Sequence, residues 1–221
     1  MVAAEAAIAG AYAIECDVQI SSDGDAMVFH DHDLDRLTEA SGLVRKRSAA
    51  ELATLQVGGT ADAIPTLAAF LDRIDARTAL VIEIKSRFDG DERLARRVAE
   101  MVAARAAPIA LKSFDPAIVS LLRRIAPAIP RGIVAQARYE GGEWDALDEG
   151  RRRAMAEFQH WGETEPDFIS FGHLDLPGQR TLMPRILSGK PVMTWTIRSQ
   201  AESDRALAFA DQIVFEGFVP A

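Results

Sequence analysis

The chain has 221 residues, 48% of them hydrophobic and 26% charged, a composition that can bury a sizeable core in one large domain or two small ones. Its formal net charge of -8 argues against a nucleic acid or an acidic membrane surface as the main partner. The single cysteine, Cys16, excludes an internal disulfide and fits a reducing compartment. Residues 1–13 are small and apolar but hold no Lys or Arg, and Glu5 interrupts them, so no secretory leader is expected. No window approaches the roughly 18 to 20 uninterrupted apolar residues of a spanning helix, and a cytoplasmic protein is the expectation.

The elements begin with a helix over 2–9 that ends at Gly10. A strand over 13–20 follows, with Ile14, Cys16, Val18 and Ile20 alternating against Glu15, Asp17 and Gln19. Ser21 to Asp25 reads as a hairpin turn, because Asp23-Gly24 supplies the positive φ it needs. A short apolar run, 27–29, returns and ends at His30. Residues 41–57 form a loop with a short helix over 49–55, and 66–75 has helical spacing behind Pro65. Strands are then expected at 80–84, 108–111, 132–136, 168–171, 191–197 and 212–215. Helices are expected at 91–105, 116–125, 179–187 and 200–209, and 143–159 is expected to be helical in part. Alternating strands and helices imply a parallel sheet with helices outside, in one domain. Seven strands are counted where a closed barrel of this kind needs eight, and the chain opens on a helix, so the missing strand is the first.

Several charged residues stand where burial is expected. Glu15 and Asp17 share one face of the first strand. Glu83 and Lys85 share a face of a strand whose other residues look buried, a costly place for ions unless they are paired or bound to something. At the C-terminal ends of adjacent barrel strands the three acids would converge, and three carboxylates make an oxygen cage for Mg²⁺ or Ca²⁺. The alternative is an ordinary buried salt bridge between Lys85 and one of the acids. His30, an imidazole at a strand end, suits proton transfer near neutral pH, with a structural histidine as its alternative. Cys16, on the opposite face from the two acids, reads as packing. His32 reads as a solvated loop residue, and His160 and His173 receive no role. Lys112 reads either as an aid to an anionic substrate or as a surface residue. Phe114 and Phe171 are weaker pocket candidates, and the acids at 145–149 read as a solvated helix face.

These residues carry a resemblance. Ile14-Glu15-Cys16-Asp17-Val18, then Ser22-Asp23-Gly24, then His30-Asp31 with Leu34 to Thr38 behind it, resembles the glycerophosphodiester phosphodiesterase family. Glu83-Ile84-Lys85 matches the family's Glu-Ile-Lys element and Trp195-Thr196 its Trp-Thr element. The resemblance implies a TIM (β/α)8 barrel that splits glycerophosphodiesters into glycerol 3-phosphate and an alcohol. It implies Glu15, Asp17 and Glu83 as ligands of a divalent cation, His30 as catalytic acid/base, and Lys85 and Trp195 as substrate contacts. For Trp195, core packing by a large aromatic stays an equal alternative. The implied partner is a small glycerophosphodiester.

The resemblance covers the chain from Val2 to Val219 with two departures. Residues 215–220 stand where the family ends its barrel with Thr-Asp and a Pro, which is expected to alter one wall of the site. The family's opening His-Arg-Gly strand, which supplies a second acid/base and a phosphate contact, has no counterpart here. A longer native chain is the favoured expectation, and a shortened barrel that binds phosphodiester or metal without turnover is the alternative. A phospholipase D-like enzyme on lysophospholipids or sphingomyelin is a further one, which would need an apolar entrance.

Overall fold

The computed structural model describes residues 1–103, 105–178 and 189–221; the helix expected over 179–187 lies outside the described residues. They form two compact units, Met1–Leu111 with Arg124–Ile129 and Lys112–Arg123 with Pro130–Ala221.

The first unit opens with helix α1 (Val2–Ala9), strand β1 (Ile14–Ile20) and strand β2 (Ala26–Val28). The hairpin between β1 and β2 follows from its turn chemistry. Gly24 sits at φ 89, where a side chain would be strained. Ser21 Oγ donates to Asp23 Oδ1 at 2.6 Å and accepts from the Asp25 N–H at 2.9 Å. Asp23 Oδ1 also accepts from the Ala49 N–H at 3.0 Å, which ties the turn to the start of helix α2 (Ala49–Leu52). That four-residue helix is too short to stand on propensity and is fixed by a capping box between Ser48 and Glu51.

β2 is followed by a long excursion that returns at an isolated bridge between Met27 and Thr66. It has its own core, in which Met27, Phe29, Leu34, Val44, Leu52 and Ile64 are buried together. Each such side chain contributes about 1.5–3 kcal/mol. The chain around His30 is thereby packed rather than free. Helix α3 (Leu67–Ile74), capped by Thr66, leads to strand β3 (Leu80–Ile84), helix α4 (Arg93–Ala103) and strand β4 (Ile109–Ser113). The strand order is β2-β1-β3-β4. β1 and β3 are parallel, with Asp17 opposite Glu83.

β4 runs into the second unit, which adds helix α5 (Pro116–Ile125), strand β5 (Arg131–Ala135), helices α6 (Glu149–Ala156) and α7 (Trp161–Thr164), strands β6 (Phe168–Gly172) and β7 (Val192–Ile197), helix α8 (Gln200–Leu207) and strand β8 (Gln212–Phe215). Its strand order is β4-β5-β6-β7-β8, and β5 through β8 pair in parallel. The core gathers Val119, Ile133, Phe158, Ile169, Phe171 and Val192.

Candidate active site

β1 presents Glu15, Asp17 and Gln19 on one face, because strand side chains alternate. The parallel register with β3 brings Glu83 level with Asp17. Carboxylate oxygens of Glu15, Asp17 and Glu83 all lie within 4.8 Å of one another. Lys85, the residue after β3, turns its Nζ onto this group, 2.8 Å from Asp17 Oδ1 and 2.6 Å from Glu83 Oε1. The ion pair expected by the alternative reading of Lys85 is present, and it has two of the three acids as partners. Burial pulls the Lys85 ammonium down, but the Glu83 and Asp17 charges more than offset this and hold its pKa above the ordinary lysine value.

Three carboxylates and one ammonium leave a formal surplus of two negative charges. An oxygen-only donor set with that surplus fits a hard divalent cation such as Mg²⁺ or Ca²⁺. Repulsion among the acids, with Glu83 buried, would otherwise remain. Glu15 and Asp17 lie within the body of β1 and not at its end, since the strand continues to Ile20 and the hairpin.

His30 follows directly on the end of the hairpin, where the Phe29 N–H donates to the Asp17 carbonyl at 3.0 Å. Its Nδ1 lies 2.6 Å from Asp31 Oδ1, and the imidazole is largely exposed. Arg36 grips the same carboxylate in a fork, Nε to Oδ2 and Nη2 to Oδ1, both at 2.7 Å. Partial burial would raise the Asp31 pKa, but hydrogen bonds from Arg36 and His30 lower it overall, so the group stays a carboxylate. In the tautomer that donates from Nδ1 to Asp31, Nε2 is the acceptor.

Gln19 was missed by the sequence reading, although the alternation that selects Glu15 and Asp17 also selects it. It is buried, and its Nε2 donates to the His30 carbonyl at 3.0 Å. The same amide lies 3.2 Å from His32 Nδ1, so His32 is a half-buried, hydrogen-bonded residue and not a solvated one. The role of Arg36 had no sequence signal, because it depends on how the packed excursion folds back.

The remaining candidates separate. Cys16 is buried and packs, as expected. Lys112 is 2% exposed with Nζ 3.4 Å from Ser170 Oγ, which overturns its surface reading. Phe171 is fully buried against Phe158 and is core rather than pocket. His160 is buried with its Nδ1 3.3 Å from Thr164 Oγ1. Asp145 to Glu149 includes Asp148, which caps α6 by accepting from the Arg151 N–H. Trp195 lies in β7 of the second unit, edge-on to Phe114 at 5.5 Å between centroids. Its Nε1–H has no hydrogen-bond partner among the described residues, an unmet donor that core packing alone does not explain.

The model of the glycerophosphoryl diester phosphodiesterase family matches residues 3–215. The chain belongs to that family. Bacillus subtilis YhdW, provisionally named a glycerophosphodiester phosphodiesterase, is 26% identical over 85% of this chain and 74% of its own length. The glycerophosphodiester phosphodiesterase of Caldanaerobacter subterraneus subsp. tengcongensis is 38% identical over 84 residues, 35% of each chain. Among solved structures, a phosphodiesterase of Oleispira antarctica in complex with the product sn-glycerol-3-phosphate superposes with a TM-score of 0.80 at 21% identity, over 97% of this chain and 85% of that one. A glycerophosphodiester phosphodiesterase of Agrobacterium tumefaciens superposes at 0.68 with 24% identity, over 97% and 88%. These likenesses show the α/β, TIM-barrel-type fold of the family. No described helix is long and apolar enough to cross a membrane.

Proposed function

We propose that this family member hydrolyses glycerophosphodiesters to glycerol 3-phosphate and an alcohol, with a divalent cation, Mg²⁺ or Ca²⁺, held by Glu15, Asp17 and Glu83. The observation that carries this is the cluster of three carboxylates within 4.8 Å of one another, closed on one side by the Lys85 ammonium. Family membership and the Oleispira antarctica relative solved with sn-glycerol-3-phosphate support the substrate class. A cation bound there supplies Lewis acidity and offsets charge on the phosphoryl oxygens.

The chain's own residues supply the rest. Hydrolysis forms a bond from a water oxygen to phosphorus, breaks the bond from phosphorus to the alcohol oxygen, and moves one proton from the water to the departing alcohol. His30 Nε2 accepts or returns that proton, while the Asp31 carboxylate and Arg36 fix the ring. Lys85, held protonated, places a positive charge against the phosphate. Trp195, with its unmet indole donor, is proposed as a substrate contact.

The test is hydrolysis of glycerophosphocholine with and without a chelator, in the wild type and in His30→Ala. Loss of turnover with chelator, its return with Mg²⁺ or Ca²⁺, and a drop of about 10²–10⁴-fold in His30→Ala are expected. Turnover that resists both treatments would refute the mechanism. Cation binding without turnover on any diester would make the chain a binding barrel, and preference for a lysophospholipid over glycerophosphocholine would move the substrate to lipids.

A further inference from the structure

A cleft opens beside the carboxylate cluster, within the first unit. Lys85 lines it and so belongs to both, and Gln19, His32, Arg45, Ser86 and Arg87 line it with Lys85. Whatever extends from a phosphate held at Lys85 has this cleft next to it.

The charges of the cleft are mostly settled. Lys85 is balanced by Asp17 and Glu83. Asp89, also in the lining, takes the Arg45 guanidinium at 2.9 Å. Asp91, the other acid there, is held by Arg93 in a fork, with Nη2 2.6 Å from Oδ2. Arg87 differs, because it makes no ion pair or hydrogen bond among the described residues. One guanidinium is left uncompensated in a cleft whose acids are taken.

The loop that carries Arg87 is held in shape. Ser86 Oγ accepts from the Phe88 N–H at 2.9 Å. Phe88 stands at φ 58, in the left-handed region that a bulky residue adopts only when its surroundings impose it. One residue further, Asp89 is tied by Arg45 to the helical turn Val44–Lys46 and accepts from the Asp91 N–H at 3.2 Å. Arg87 is therefore displayed on a loop clamped on both sides, so little backbone freedom is lost when its fork engages an anion.

We propose that Arg87, in the cleft that shares Lys85 with the carboxylate cluster, is a specificity-determining residue that binds an anionic group on the alcohol portion of the substrate. The class is a glycerophosphodiester whose alcohol carries a phosphate monoester or a carboxylate, two groups that a guanidinium fork takes alike. The inference rests on the hydrolase reading above and adds the head-group class to it.

The experiment compares kcat/KM of the cation-loaded enzyme on glycerophosphoinositol 4-phosphate, glycerophosphoserine and glycerophosphocholine, in the wild type and in Arg87→Gln. Arg87 is exposed on a loop, so folding is not at stake. A preference for the anionic heads of at least about tenfold over choline is expected, with that ratio falling toward one in Arg87→Gln and shrinking as NaCl rises. Glycerophosphoinositol 4-phosphate favoured alone assigns a phosphate, and both anionic heads favoured assign either anion. A ratio that Arg87→Gln does not move overturns the proposal. An equal loss on all three diesters also overturns it, because Arg87 would then serve the scissile phosphate. If no diester is hydrolysed, the hydrolase reading fails on its own, and calorimetric titration with inositol 4-phosphate decides the cleft. Weaker binding by Arg87→Gln upholds the anion site, and equal binding removes it.

Discussion

Lys85 shows how much a single residue decides in the carboxylate cluster. Its Nζ meets Asp17 and Glu83 at 2.8 and 2.6 Å, and its side chain is only 10% exposed. Such a pair gains little over apolar packing, but removing one partner leaves the other charges buried and unbalanced. In Lys85→Met the three carboxylates would face one another with no cation among them. The variant is expected to lose about 3 kcal/mol of stability in chelator, read by urea denaturation. Millimolar Mg²⁺ or Ca²⁺ should restore most of that loss, because a divalent ion replaces the missing positive charge, while kcat stays low for want of the phosphate contact. A Lys85→Met protein as stable as wild type in chelator would mean that the acids are not close enough to repel, and the cation site would fail with it.

At the scale of elements, the β5–β6 pairing sets a tight local rule. Gly132 stands opposite Phe168 in the parallel register. A Cβ on Gly132 would meet the Phe168 ring far inside contact distance. Gly132→Ala is expected to cost about 1–3 kcal/mol by overpacking, and adding Phe168→Leu should recover part of it, as thermal melts of the single and double variants would show. Many elements were legible because their periodicity is strong: β3, α5 and β8 fall on the expected residues. The segment 143–159 was legible only as partly helical. It divides into a single turn over Gly142–Ala146 and helix α6, with Asp148 capping the second. α7 gave no signal, since its four residues are set by the fold around His160 without a side-chain cap. In the site, the carboxylates and Lys85 follow from strand alternation, and Gln19 was readable by the same rule. Arg36 reaches Asp31 only through the packed excursion between β2 and α3, a tertiary outcome with no spacing to announce it.

The stability of the whole molecule carries an acid limb that can be assigned. Burial lowers the His160 pKa from its ordinary 6.5 to about 4, and the residue packs beside Phe158 with its Nδ1 3.3 Å from Thr164 Oγ1. Between those two values the unfolded chain binds a proton at this position and the folded chain does not. Unfolding stability therefore rises with pH across that window and falls as the pH is lowered through it. At about 1.4 kcal/mol per pKa unit, the whole window is worth about 3 kcal/mol. A second group acts lower. Hydrogen bonds from Arg77 and Arg73 hold Glu5 of α1 at about 2, below its ordinary 4.5, so its contribution is complete above 4.5 and is lost as pH falls toward 2. Because the two windows meet near pH 4, they can be separated by substitution. Urea denaturation at pH 7, 5 and 4 is expected to show a steady loss in the wild type and a much flatter profile in His160→Gln, which retains an amide to meet Thr164 but has no proton to gain. A Glu5→Gln protein should keep the wild-type slope between pH 7 and 5. If His160→Gln and wild type lose stability in parallel over that range, the buried imidazole is not the titrating group, and the acid limb belongs to the carboxylates.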